Sequence, residues 1–284
     1  MTLYQYQQPI RTVFALSNMP STPTNTTASM GTSVTTGATP HAATAWTEIF
    51  TAAQVTSDIH ELFLAIVDSA ASATQTDAMI DLAVGEAGSE VAFLTNYLAG
   101  WNPNGASPQQ DDDRMRIHVR KGQRISFRAR SLQTSKAINV VLSVLGYDRK
   151  PDDCFRGIDV LGGNAAASQG TSVTPGNSGT YGSWANIGSA TARAYHGLKP
   201  LVQGTLTNTT TASAAYYFQI GASSAVLANQ PRWRFSATTA ELVMGPNPNA
   251  FHRVSVPIGT QLQMRGTGST TANTFDCAIL AGYF

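Results

Sequence analysis

Charge is what this chain has least of. Only 12% of its 284 residues are Asp, Glu, Lys or Arg, about half the usual share of roughly 25%. With a net charge of +1 no basic field is available to neutralise phosphates, which argues against nucleic acid as a partner. Cysteine is nearly absent as well. Cys154 and Cys277 fall in non-equivalent places and describe no disulfide framework. Cys277 reads as a small buried apolar side chain, with a Cys154–Cys277 bridge as the alternative. No Cys/His cluster has zinc spacing. Long hydrophobic runs are missing too: the stretch from Ile138 to Leu145 is too short to cross a bilayer as a helix. The opening MTLYQYQQPIRTVFAL has neither the basic nor the long apolar part of a secretory signal. The expectation is a protein made in a cytoplasm, with no membrane partner.

Recognisable catalytic patterns are also lacking. No GxSxG turn offers a nucleophile, and the five histidines, His41, His60, His118, His196 and His252, show no HExxH spacing; none is assigned to catalysis. Asp111, Asp112 and Asp113 sit too close together to converge on one Ca²⁺ and read as a solvated loop. From Gly170 onward the only carboxylates are Glu241 and Asp276, so an acid/base pair repeated in both halves is excluded. A hydrolase would need its whole site in the first half. No enzyme activity, cofactor or metal is expected.

What is present is Ser, Thr, Gly and Ala around many short apolar runs, the composition of an all-β chain rich in turns. Alternation is clearest where Met115, Ile117 and Val119 interleave with Arg116, His118 and Arg120, and where Ile125, Phe127 and Ala129 interleave with Arg124, Ser126, Arg128 and Arg130. One face is apolar and the other wet.

The same pattern occurs twice. GTSVTTG at Gly31 returns as GTSVTPG at Gly170, Trp46 and Ile49 as Trp184 and Ile187, and MIDLAVG (79–85) as AYYFQIG (215–221). The turn glycine Gly122 returns as Gly259, and the strand ending Gly146-Tyr147 as Gly282-Tyr283. All offsets lie between 136 and 139. The fold expected is therefore two tandem β-sandwich, jelly-roll-like domains at 31–147 and 170–284, joined by a linker at 148–169 and preceded by an extended N-terminal arm at 1–30. Trp46 and Trp184 are expected as equivalent core residues. The arm carries Leu3, Tyr4, Tyr6, Ile10 and Phe14 as apolar contacts, to its own sandwich, another subunit or a larger assembly. Charge divides unevenly: 31–147 holds eight Lys/Arg against eleven Asp/Glu, and 170–284 six against two. So little charge in the second copy points to a surface covered by partners, and the opposite signs suit head-to-tail contact. Among the aromatics, Tyr97, Trp101 and Trp233 are candidates for stacking on a glycan.

In its N-terminal arm, its paired module openings GTSVTTG and GTSVTPG, its paired endings VLSVLGY and AILAGYF, and its low charge, the chain resembles virion structural proteins of tailed bacteriophages. The resemblance implies a non-enzymatic subunit of a virion assembled in the host cytoplasm. It would form a homo-oligomer, contact other virion proteins and decorate the capsid or build the neck or tail. A tail-tip protein binding a host surface glycan is an alternative, and a double jelly-roll major capsid protein is another.

Overall fold

The structure, a computed structural model, describes residues 10–19, 31–68, 78–99, 113–152, 154–177, 179–204, 214–229, 233–235, 251–268 and 274–284. Among these there is no helix. All regular structure is β, as the composition leads one to expect, and it forms two sandwiches of two sheets each.

In the first sandwich, β1 (Thr12–Ser17) and β2 (Thr32–Thr35) share the outer side of β9 (Ala137–Tyr147). β9 is followed across the sheet by β4 (Glu61–Asp68) and β7 (Asp113–Met115). The facing sheet runs β3 (Thr47–Phe50), β8 (Ile125–Ser131), β5 (Ala78–Val84), β6 (Val91–Leu98). The second sandwich repeats this plan. One sheet places β10 (Gly157–Leu161) and β11 (Thr171–Val173) along β20 (Phe275–Tyr283), then β14 (Tyr195–Gly204) and β18 (His252–Val256). The other places β12 (Gly176–Asn177) and β13 (Ala185–Asn186) beside β19 (Leu262–Gly268), then β15 (Ala214–Ala222), which carries β16 (Ala225–Asn229) and β17 (Trp233–Phe235). In each sandwich the first, last, a middle and the third-from-last strands make one sheet, which is the wrapped strand order of a jelly roll.

This topology redraws two boundaries. Thr12–Ser17 is not a free arm but an edge strand of its own sandwich, with Leu16 opposite Val144 and Ser17 opposite Ser143. Phe14 packs on the first core while Ile10 is exposed; Leu3, Tyr4 and Tyr6 lie outside the described residues. The stretch 148–169 is likewise more than a linker, because Gly157–Leu161 pairs with β20 as β1 pairs with β9. Ile158 and Val160 alternate with Asp159, and that brief period-2 pattern is enough to hold a strand once a partner edge is beside it.

The repeat is also in a slightly different register from the one its sequence landmarks give. Asp81 pairs with Arg128 and Gln219 with Arg265, so β5 and β15 correspond at an offset of two more than MIDLAVG and AYYFQIG imply. A shift of two leaves every side chain on the same face, so alternation cannot detect it. At the chain's end the slip is one residue. Val144 and Ala281 are the equivalent inward positions, opposite Leu62 and Leu198, and the two Gly-Tyr endings therefore face differently.

The cores explain why β20 is apolar without a break from Cys277 to Leu280. Cys277, Ile279 and Ala281 point into the second core, while Ala278 and Leu280 point the other way and join the first core, together with Phe155, Ile158 and Leu201. β20 is thus buried on both faces. Both cysteines are free and buried.

Candidate functional site at the join between the sandwiches

Polar chemistry gathers where the first sandwich ends and the connection to the second begins. Asp58 and His60 precede β4, Glu61 opens it, Arg116 and His118 follow β7, and Tyr147 closes β9. Strand pairing rather than sequence proximity assembles the group: His60 N–H donates to the Leu145 carbonyl, and Ile59 bridges Val119. The His60 and His118 rings stack at 5.5 Å between centroids and 7° between planes. His118 Nε2 donates to Asp58 Oδ2 at 3.2 Å, and the Lys121 amide donates to Asp58 Oδ1 at 2.8 Å. The Tyr147 amide donates to His60 Nδ1 at 3.1 Å, and the Tyr147 hydroxyl to Glu61 Oε2 at 2.5 Å. Cys154 Sγ reaches the His60 carbonyl at 3.6 Å, tying in the connection.

The electrostatics follow from this geometry. The Lys121 amide first, and then the hydrogen bond from His118, hold the Asp58 carboxyl below the usual carboxylate range. Burial first, and then the neighbouring His118, push the His60 imidazole below its ordinary value. Both effects favour the neutral form of His60. Its tautomer is fixed, because an amide N–H can only donate, so Nδ1 carries the lone pair and Nε2 the proton.

Among the described residues, Asp58, His60 and His118 are the one grouping whose ligand atoms come within 4.8 Å of one another. They do not fit a metal. An ion must lie in the plane of each ligating imidazole, and two rings 7° from parallel and 5.5 Å apart have no such common point. The His60 Nδ1 lone pair is also already taken by an amide. The Cys154 thiol is turned to the His60 carbonyl. What the arrangement can do is exchange a proton and, in doing so, change the bonds that hold residues 147–154.

The same join contains a cleft of about 430 Å³ lined by Asp152, Phe155, His196, Arg253, Val254, Ser255 and Phe284. Its floor is Phe155, whose backbone pairs with residues 116–118 of the first sandwich. The Phe155 ring lies on Gly197 and Gly282 of the second, where an added Cβ would come within 2.6 Å of it. Phe251 and Phe284 pack on that ring at 4.9 and 5.3 Å.

Of the proposed glycan-stacking aromatics, Tyr97 is fully buried and cannot serve. It lies on β6, opposite Ile80, so it faces inward. Trp101 lies outside the described residues, and Trp233 is placed only by its backbone pairing with Tyr216. Trp46 and Trp184 are equivalent, as expected, but they are half-buried and not core. Arg128 lies 4.5 Å over Trp46, and Arg265 lies 4.3 Å over Trp184 and 4.8 Å over Tyr181. Of the five histidines, the fold brings together two, a pairing that no spacing in the chain announces.

No protein-family model matches this chain, and no curated protein matches it. A solved structure of PNGF-II is similar to it at a TM-score of 0.36 and 10% identity, over 85% of this chain and 59% of that one.

Proposed function

We propose that this chain is a non-enzymatic structural subunit of a virion, and that within that class it builds the shell or covers it. One observation carries the reading: two complete jelly-roll sandwiches are fused and locked side by side through an apolar face. A jelly roll needs no cofactor and is a recurrent capsid module. Two in one chain offer the same set of outer surfaces twice, so a contact made inside the chain can be repeated between chains. The internal contact sets the second sandwich's β10–β20–β14 face against the first sandwich near β6 and residues 116–118. The corresponding face of the first sandwich, with Val13 59% exposed, is the natural receiver for the next copy. Head-to-tail repetition of that contact closes a ring or extends a lattice.

The test is the mass of the purified protein by analytical ultracentrifugation across a wide concentration range, with negative-stain images of what forms. Closed rings or sheets support the reading, as does a copy number in the hundreds per particle. A monomer at every concentration, with no particle that contains it, counts decisively against it.

A second reading, binding of a neutral glycan, is favoured by the half-exposed Tyr181 and Trp184 beside Arg265. Gln263 and Asn186 extend this surface with amides. Binding to a glycan array that disappears in Trp184→Ala would support it; an array without signal would remove it.

A further inference from the structure

We propose that the stacked His60–His118 pair is an acid-operated latch: a proton on His60 releases the hydrogen bond from the Tyr147 amide and loosens residues 147–154, which join the two sandwiches. The inference does not depend on what the protein assembles with. It rests on which atom accepts what. His60 Nδ1 receives the Tyr147 N–H at 3.1 Å, so the neutral ring is an acceptor at the point where the chain leaves β9. The proton that makes an imidazolium must go to Nδ1, since Nε2 already has one, and two N–H groups then face each other. The acceptor becomes a donor, and the bond is lost.

The surroundings make that second charge unwelcome. Facing His60 are Asp58 ahead of β4, Glu61 on β4, Arg116 and His118 after β7, Tyr147 at the end of β9, and Lys150 and Cys154 in the connection. Two are acids, and both are engaged. Asp58 accepts from His118 and from the Lys121 amide. Glu61 accepts from the Tyr147 hydroxyl and has Arg116 at 4.0 Å. Once His118 is charged, a proton on His60 sets like charges 5.5 Å apart, ring on ring. The ring must turn away or the Tyr147 backbone must move. Asp148 N–H is bonded to the Arg11 carbonyl just ahead of β1, and Cys154 Sγ to the His60 carbonyl, so the disturbance passes to both flanks of the connection.

Hydrogen exchange on the full chain at about pH 7.5 and about pH 5, on either side of the ordinary histidine pKa and corrected for intrinsic exchange, reads the latch directly. In the wild type, protection across 147–156 should fall by about tenfold or more at the lower pH, the change that one unit of differential protonation produces. His60→Asn keeps an acceptor oxygen near the Nδ1 position and cannot be protonated, so its protection should be the same at both pH values. His118→Asn removes the like charge, and its fall in protection should begin at higher pH than in the wild type. Equal wild-type protection at both pH values overturns the proposal, as does an undiminished fall in His60→Asn or an onset unmoved in His118→Asn. Should His60→Asn not fold, proton NMR of the wild type replaces it. The Tyr147 amide resonance must then follow the midpoint of the His60 ring, and an amide indifferent to that titration overturns the idea equally.

Discussion

At the scale of single residues, the two sandwiches solve one packing problem in two ways. Arg128 and Arg265 occupy the same place, each over the ring of a tryptophan. In the first sandwich the guanidinium donates through Nε to Asp81 at 2.7 Å, and Arg130 also reaches Asp81, at 3.3 Å. In the second the carboxylate is replaced by Gln219, which accepts from Arg265 at 2.9 Å. Asp81 and Gln219 are both buried. Removing a buried ionic partner leaves uncompensated charge, a loss of about 3–5 kcal/mol at full burial, and the partial exposure of Arg128 brings the expectation down to about 2–3 kcal/mol. Removing a hydrogen-bond partner of a charged group costs about 1.5–3 kcal/mol. These ranges overlap, but Asp81 also accepts from Arg130 and from the Asn96 amide, so urea unfolding of Asp81→Ala and Gln219→Ala should show Asp81 as the larger loss; equal losses would mean that these further contacts and the charge contribute nothing. The paired tryptophans were visible in the sequence at an offset of 138, but their half-buried stacking was not. The arginine that covers each lies more than eighty residues further along the chain, and only strand pairing brings it back.

At the scale of elements, the glycines and edge strands decide what the repeat means. Gly146 was legible as a repeated landmark, and its cause is local: a Cβ there would lie 2.4 Å from the Asp58 carbonyl oxygen. Gly146→Ala must push the Asp58 loop outward, which should cost about 1–3 kcal/mol as overpacking does and should weaken the His118–Asp58 contact as well. A thermal midpoint equal to that of the wild type would show that the loop yields freely. β1 was harder to read, because Thr12–Ser17 alone does not distinguish an arm that grips a partner from a strand that completes its own sheet. The pairing with β9 decides for the sheet. Deleting residues 1–18 should therefore bare the outer side of β9 from Ser143 to Tyr147 and lower both solubility and stability. An assembly arm that leaves its own fold intact would instead give a soluble, fully stable protein that fails only to assemble. β10 was hidden for a related reason: Asp159 and the flanking Gly and Pro residues made 148–169 look like a connection, and only the edge of β20 gives Ile158 and Val160 something to bury against.

At the scale of the whole molecule, two modules were readable from the doubling of the sequence, but their union was not. The apolar face of β20 that points away from its own core would be exposed in a lone second sandwich, and so would Leu201 and Ile158; in the intact chain all are buried in the first core. Two sandwiches sharing a core in this way should unfold together, so calorimetry near neutral pH is expected to show one transition. Leu201→Asp, which puts a carboxylate into that shared layer at a cost of several kcal/mol, should split it into two. Acid should weaken the whole. His60 and His252 both have imidazoles held below their ordinary value, His252 by burial and His60 by burial and then His118. The unfolded chain therefore binds their protons more readily than the folded one. The stability that depends on their neutrality is complete above the unfolded value of about 6.5 and drains away as pH falls through the lower folded values. The thermal midpoint should thus fall from about pH 7 to about pH 5, and His60→Asn should recover part of the difference. A midpoint that rises on acidification would reverse the sign for both residues at once, and would mean that the folded protein holds these protons more tightly than the unfolded chain.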